Sequence, residues 1–93
     1  MAKVQETFTG TGRSSSSIQG GSGKDGVLII DIGAGTTVTL EASQDNGVTW
    51  ITESTYTADT VKRVTFPSSD ALYTLNCTVY GASTPVTLSD GRD

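Results

Sequence analysis

Ser43, Asp45, Gly47, Thr49 and Trp50 stand at the spacing S-x-D-x-G-x-T-W, the one place in the chain where residue types and intervals together specify a local chemistry. A carboxylate two residues after a serine can fold back onto the N–H groups of the residues that follow. A glycine two further on can take the positive φ that so tight a loop demands. Hydroxyls from Ser43 and Thr49 can close the loop, and Trp50 is expected to bury its ring beneath the turn, contributing about 2–3 kcal/mol of apolar burial. The chemistry is that of a structural turn, because the Asp45 carboxylate is committed to its own backbone.

Groups suited to catalysis are sparse. The chain has no histidine, so neither its serines nor Cys77 have the usual general base. Glu41, Glu53, Asp59 and Asp70 fall on outward strand positions or turns, where solvated surface is the ordinary role of an acid. Around Asp45-Asn46-Gly47 the D-x-[DN]-x-[DN]-G spacing and distal Glu of a calcium loop are missing. Cys77 is the only cysteine, which excludes an intrachain disulfide and a cysteine-based zinc site. It falls on an apolar strand face, where a buried, inert thiol is expected. The sequon Asn76-Cys77-Thr78 lies inside a predicted strand and reads as chance. No catalytic residue, cofactor or metal is expected.

These groups must be positioned by strands. Ser, Thr and Gly are frequent, and no stretch keeps apolar residues at i, i+3, i+4 and i+7, so helix is nearly excluded. Period-two alternation in short runs predicts an all-β chain: one small antiparallel β-sandwich domain, jelly-roll or Ig-like, of about seven strands over residues 1–93. The predicted strands are Val4–Thr11, Gly26–Ile32, Thr37–Ser43, Trp50–Tyr56, Val61–Phe66, Leu72–Tyr80 and Pro85–Leu88. The first suits an edge. The second is apolar on both faces, which suits a central position or a face that meets a partner. In the third, Val38, Leu40 and Ala42 point inward while Thr37, Thr39 and Glu41 point outward. Of the tyrosines, two among Tyr56, Tyr73 and Tyr80 read as core or flank and one as exposed. The tail from Ser89 to Asp93 is expected to fray.

Residues 12–25 form a Ser/Gly-rich stretch that composition predicts to be a flexible loop, or an arm that orders on a neighbouring subunit. Arg13, Ile18 and Lys24 are its candidate partner contacts. A chain of 93 residues that is 34% hydrophobic and 6% aromatic has a lean core, so oligomerisation is expected. With ten acidic and six basic residues the net charge is −4, and no basic run exceeds a pair, so nucleic-acid binding is not expected. Met1–Thr7 has no apolar h-region and the longest apolar run is Val27–Ile30, so neither a signal peptide nor a membrane span is expected.

The S-x-D-x-G-x-T-W spacing is known as the Asp box, familiar from sialidases and related propellers, which this chain resembles in that single copy only. A wider set of residues, Gly35–Ser43, the Asp box, Leu72–Tyr80 and Val86–Ser89, resembles a family of short tailed-bacteriophage proteins. In that family a strand carrying "LE-S-D-G-TW" is followed by one ending near "Y-LNC" and by a short closing strand. The resemblance covers roughly Gly26 to Ser89 and implies a non-enzymatic virion structural protein, made in the host cytoplasm. The leading expectation is a capsid decoration, or cement, protein bound to the major capsid protein as a dimer or trimer. Alternatives are a tail, head–tail joining or fibre-base component, and a carbohydrate-binding β-sandwich module. The last would require exposed aromatics, whereas Trp50 is expected in the core.

Overall fold

The structure, a computed structural model, describes residues 3–19, 25–66 and 71–89. Every regular element in them is a strand: β1 (Lys3–Phe8), β2 (Gly12–Arg13), β3 (Ile18–Gln19), β4 (Gly26–Ile30), β5 (Thr37–Ser43), β6 (Ile51–Tyr56), β7 (Thr60–Val64), β8 (Leu72–Val79) and β9 (Thr84–Ser89). They form two antiparallel sheets, ordered β1-β9-β4-β7 and β2-β8-β5-β6, with β3 also pairing with β8.

The sandwich predicted from alternation is what the chain forms, and of the two connectivities considered it takes the jelly roll. If β2 and β3 count as one interrupted strand, first pairs with last, second with second-last, and so inward: β1 with β9, β2 and β3 with β8, β4 with β7, β5 with β6. This nested pairing is one long hairpin rolled into two sheets. Lys3 faces Ser89, Gly12 faces Cys77, Gly26 faces Val64 and Val38 faces Tyr56. The midpoint of each pair falls between Gln44 and Gly47, so the whole architecture is centred on the Asp-box turn.

Alternation fills the space between the sheets. Val4, Phe8, Leu28, Ile30, Val64, Val86 and Leu88 from one sheet meet Ile18, Val38, Leu40, Tyr73, Leu75 and Cys77 from the other. Phe66 and Tyr73 pack as a tilted pair with centroids 4.8 Å apart. Gly26 is required there, because a Cβ would run into the Ser89 carbonyl and the Phe66 ring. At the sandwich's open edge the Lys62 ammonium lies over the Tyr56 ring at 5.7 Å, tying β7 to β6.

Several expectations are corrected. The 12–25 stretch is not a free loop over its described part: Gly12–Arg13 and Ile18–Gln19 pair with β8, and Ile18 lies in the core, only 2% exposed. A lone apolar side chain in a polar run gains more from the core of its own chain than from solvent. Ile18 is therefore not available as a partner contact, and Lys24 lies outside the described residues, as do Asp70 and the tail beyond Ser89. Alternation on β5 also misleads, since Thr39 and Glu41 are buried despite pointing away from the core. They are covered from outside by the neighbouring strands' side chains.

Candidate functional site

The turn between β5 and β6 is held by side chain to backbone bonds. The Ser43 hydroxyl donates to Asp45 Oδ1 at 2.8 Å and accepts from the Gly47 N–H at 2.8 Å. Asp45 Oδ1 also accepts from the Thr49 N–H at 2.8 Å. Asn46 (φ 61°) and Gly47 (φ 89°) both take left-handed backbone, which asparagine tolerates and glycine adopts without strain. The Thr49 N–H first, and then the Ser43 hydroxyl, hold the Asp45 carboxyl below its ordinary value of 3.8. Ser43, Asp45, Gly47 and Thr49 thus converge on one turn, with Thr49 joined to Asp45 through its backbone N–H.

Trp50 does not. Its ring is half-buried and outside the core, beside Gly47, where an added Cβ would touch it, with the Arg13 guanidinium carbon 5.4 Å above its centroid. The cause is register: Ile51 pairs with Ala42 on the inner face, so Trp50, one residue earlier, belongs to the outer face.

Around Trp50 the outer face of the β2-β8-β5-β6 sheet carries a polar cluster. Arg13 Nε donates to Glu41 Oε1 at 2.6 Å, and Asn76 Nδ2 and the Thr39 hydroxyl donate to Glu41 Oε2 at 3.1 and 3.4 Å. The Glu41 side chain is 7% exposed and that of Arg13 39%, so the acid is the buried partner and the arginine its lid. A few residues on, the Thr74 hydroxyl donates to the Ser16 carbonyl at 2.8 Å, and Glu6 Oε1 accepts from the Ser14 hydroxyl at 2.8 Å and the Ser15 N–H at 3.2 Å. Serines that composition assigns to a loose loop clasp β1 to β8.

Glu41, Asn76, Thr39 and Glu6 were not singled out as site residues by the sequence. A lone acid in a strand of threonines and aliphatics is the only local sign, and nothing local places Arg13, 28 residues away, upon it. Glu53 and Asp59 are exposed as expected, and Asp59 Oδ1 accepts from the Ile32 N–H at 2.8 Å. Cys77 is buried, and burial pushes its thiol up. Among the described residues no three of Cys, Asp and Glu converge closely enough to hold a metal ion. In the same residues no buried side-chain nitrogen or oxygen lacks a hydrogen-bond partner. Among the described residues no helix is long and apolar enough to cross a membrane.

The outer face of the other sheet has a different character. On β4, Leu28 and Ile30 are buried while Val27 and Ile29 are each 42% exposed, and Val61 on β7, opposite Ile29, is 77% exposed. Comparison of the chain with protein-family models, curated proteins and solved structures finds no match.

Proposed function

We propose that this protein is a non-enzymatic structural component of a bacteriophage virion, a capsid decoration protein that binds the major capsid protein. The observation that carries the reading is a jelly-roll sandwich whose converging polar groups serve structural bonds, while aliphatic side chains remain uncovered on one sheet face. Such a molecule has surface to offer a partner, and the polar groups that converge among its described residues are engaged in its own structure. Jelly rolls recur in viral capsid and lectin domains, a likeness of fold that supports the reading by analogy alone. Added interface stabilises a shell by mass action, since the bound protein favours the assembled state. Purified protein incubated with mature capsids lacking it is expected to co-sediment with them at a copy number in the hundreds. A number in the tens would move it to the tail, the head–tail joint or the fibre base, and no binding to particles ends the virion reading.

The position of Trp50 favours a second reading. Its ring lies outside the core and is half-exposed, with Arg13 over it, so an aromatic reaches the surface as a carbohydrate-binding module needs. Glycan-array binding that Trp50→Ala abolishes would establish it, and a blank array excludes it.

A further inference from the structure

We infer that two copies of this chain pair face to face through the outer surface of the β1-β9-β4-β7 sheet, because its β4-β7 half runs from Arg63 through the exposed Ile29 and Val61 to Asp31 and Asp59, an order that complements a second copy of itself. The registers define the rows. Lys3, Ser89, Val27 and Arg63 lie side by side across the four strands. The next outward row is Gln5, Thr87, Ile29 and Val61. One step further lie Thr7 and Pro85, with Asp31, whose N–H donates to the Pro85 carbonyl at 3.0 Å, and Asp59, just beyond the last β4–β7 pair Ile30–Thr60.

Lys3, Arg63, Asp31 and Asp59 are all exposed, and the only ion pair among the described residues, Arg13–Glu41, is on the opposite sheet. Asp25, beside Arg63, is engaged by the Thr65 hydroxyl at 3.1 Å, and Asp59 accepts from the Ile32 N–H at 2.8 Å through Oδ1 alone. A two-fold axis in the plane of contact, running across the strands through Ile29 and Val61, brings each aliphatic pair onto its own copy. It also lays Arg63 of one copy over Asp59 of the other, with the partner's Asp31 on the adjoining strand, while Lys3 falls opposite Thr7. Charges set at opposite ends of an apolar stripe are what an isologous contact requires, since each residue meets the partner of its symmetry mate. A neutral or acidic partner would satisfy only half of the surface. The pairing is independent of the virion reading and holds in free solution.

Sedimentation equilibrium of the full chain is expected to give a dimer. Val61→Glu, at a position where the chain can carry a charge without touching the core, is expected to weaken it by roughly tenfold or more, and Ile29→Glu likewise. Arg63→Asp alone and Asp59→Arg alone each set like charges against each other and weaken the dimer, while the double variant Arg63→Asp/Asp59→Arg restores it. Circular dichroism melts separate loss of pairing from loss of fold. A wild-type monomer, a trimer, or a folded Val61→Glu protein that dimerises as well as wild type would overturn the inference. Failure of the double variant to regain what the singles lose would overturn the charge register.

Discussion

At Asp45 the carboxylate works as an internal hydrogen-bond acceptor, and its protonation state is therefore linked to folding. Its value in the folded chain is depressed, chiefly by the Thr49 N–H and then by the Ser43 hydroxyl. Its contribution is complete above the ordinary carboxylate value and is lost as pH falls through the lowered one, because protonation weakens the acceptor. Melting temperatures followed from about pH 6 down to about pH 2 should fall for the wild type, and part of that fall should be absent in Asp45→Asn. Identical acid profiles would show that this carboxylate is not linked to folding. Gly47 permits a sharper test: at φ 89° a β-branched residue is strained, so Gly47→Val should cost about 1–3 kcal/mol in urea unfolding. Ser43, 2% exposed and bonded on both sides, should cost about 1–2 kcal/mol as Ser43→Ala.

At the scale of the element, β5 shows why period-two patterning reads only half of a strand. Its inner residues were identified from the alternation of Val38, Leu40 and Ala42, and that pattern holds in the sandwich, with Val38 and Leu40 fully buried. The outer residues Thr39 and Glu41 alternate onto the face that patterning gives to solvent, yet Arg13 from β2 and Asn76 from β8 cover them. Removing the lid alone leaves an acid in a poorly solvated site. Arg13→Ala is expected to destabilise by about 1–2 kcal/mol, between the values for exposed and buried pairs because the arginine is partly exposed. Arg13→Met/Glu41→Leu should recover most of the loss. A double-mutant cycle with no coupling between the two positions would show the pair to be incidental.

The same element-scale logic explains the 12–25 stretch. Low complexity was legible as composition, and the single Ile18 within it was noticed, but an apolar residue does not announce which core it will enter. Once Ile18 pairs opposite Tyr73, the serines before it fall within reach of Glu6 and Thr74 and are tied down. Hydrogen exchange should therefore find the Ser14 amide, bonded to the Leu75 carbonyl at 2.8 Å, protected rather than freely exchanging.

For the whole molecule, nested pairing makes one prediction about order of events. Among the described residues the β5–β6 hairpin is the only pair joined by a short turn, and each outer pair closes a longer loop that the pair inside it shortens. Folding should start at the Asp-box turn and proceed outward. In chevron experiments Ser43→Ala should chiefly slow folding, while Val86→Ala on β9 should chiefly speed unfolding. The reverse pattern would place the nucleus at the chain ends.

The class of fold, the inward faces of the main strands and the residues of the central turn are legible in the chain's own pattern, because alternation and turn chemistry are local and repeat within a few residues. That pattern does not determine the jelly-roll connection, the outward position of Trp50, the covered Glu41, or the alignment of Lys3 and Arg63 opposite Asp31 and Asp59 across one sheet. Each of these depends on register between strands far apart in the chain, and a one-residue shift sends a side chain to the other face. Only the packed sheets set that register, through core burial on one side and hydrogen-bonded polar cover on the other.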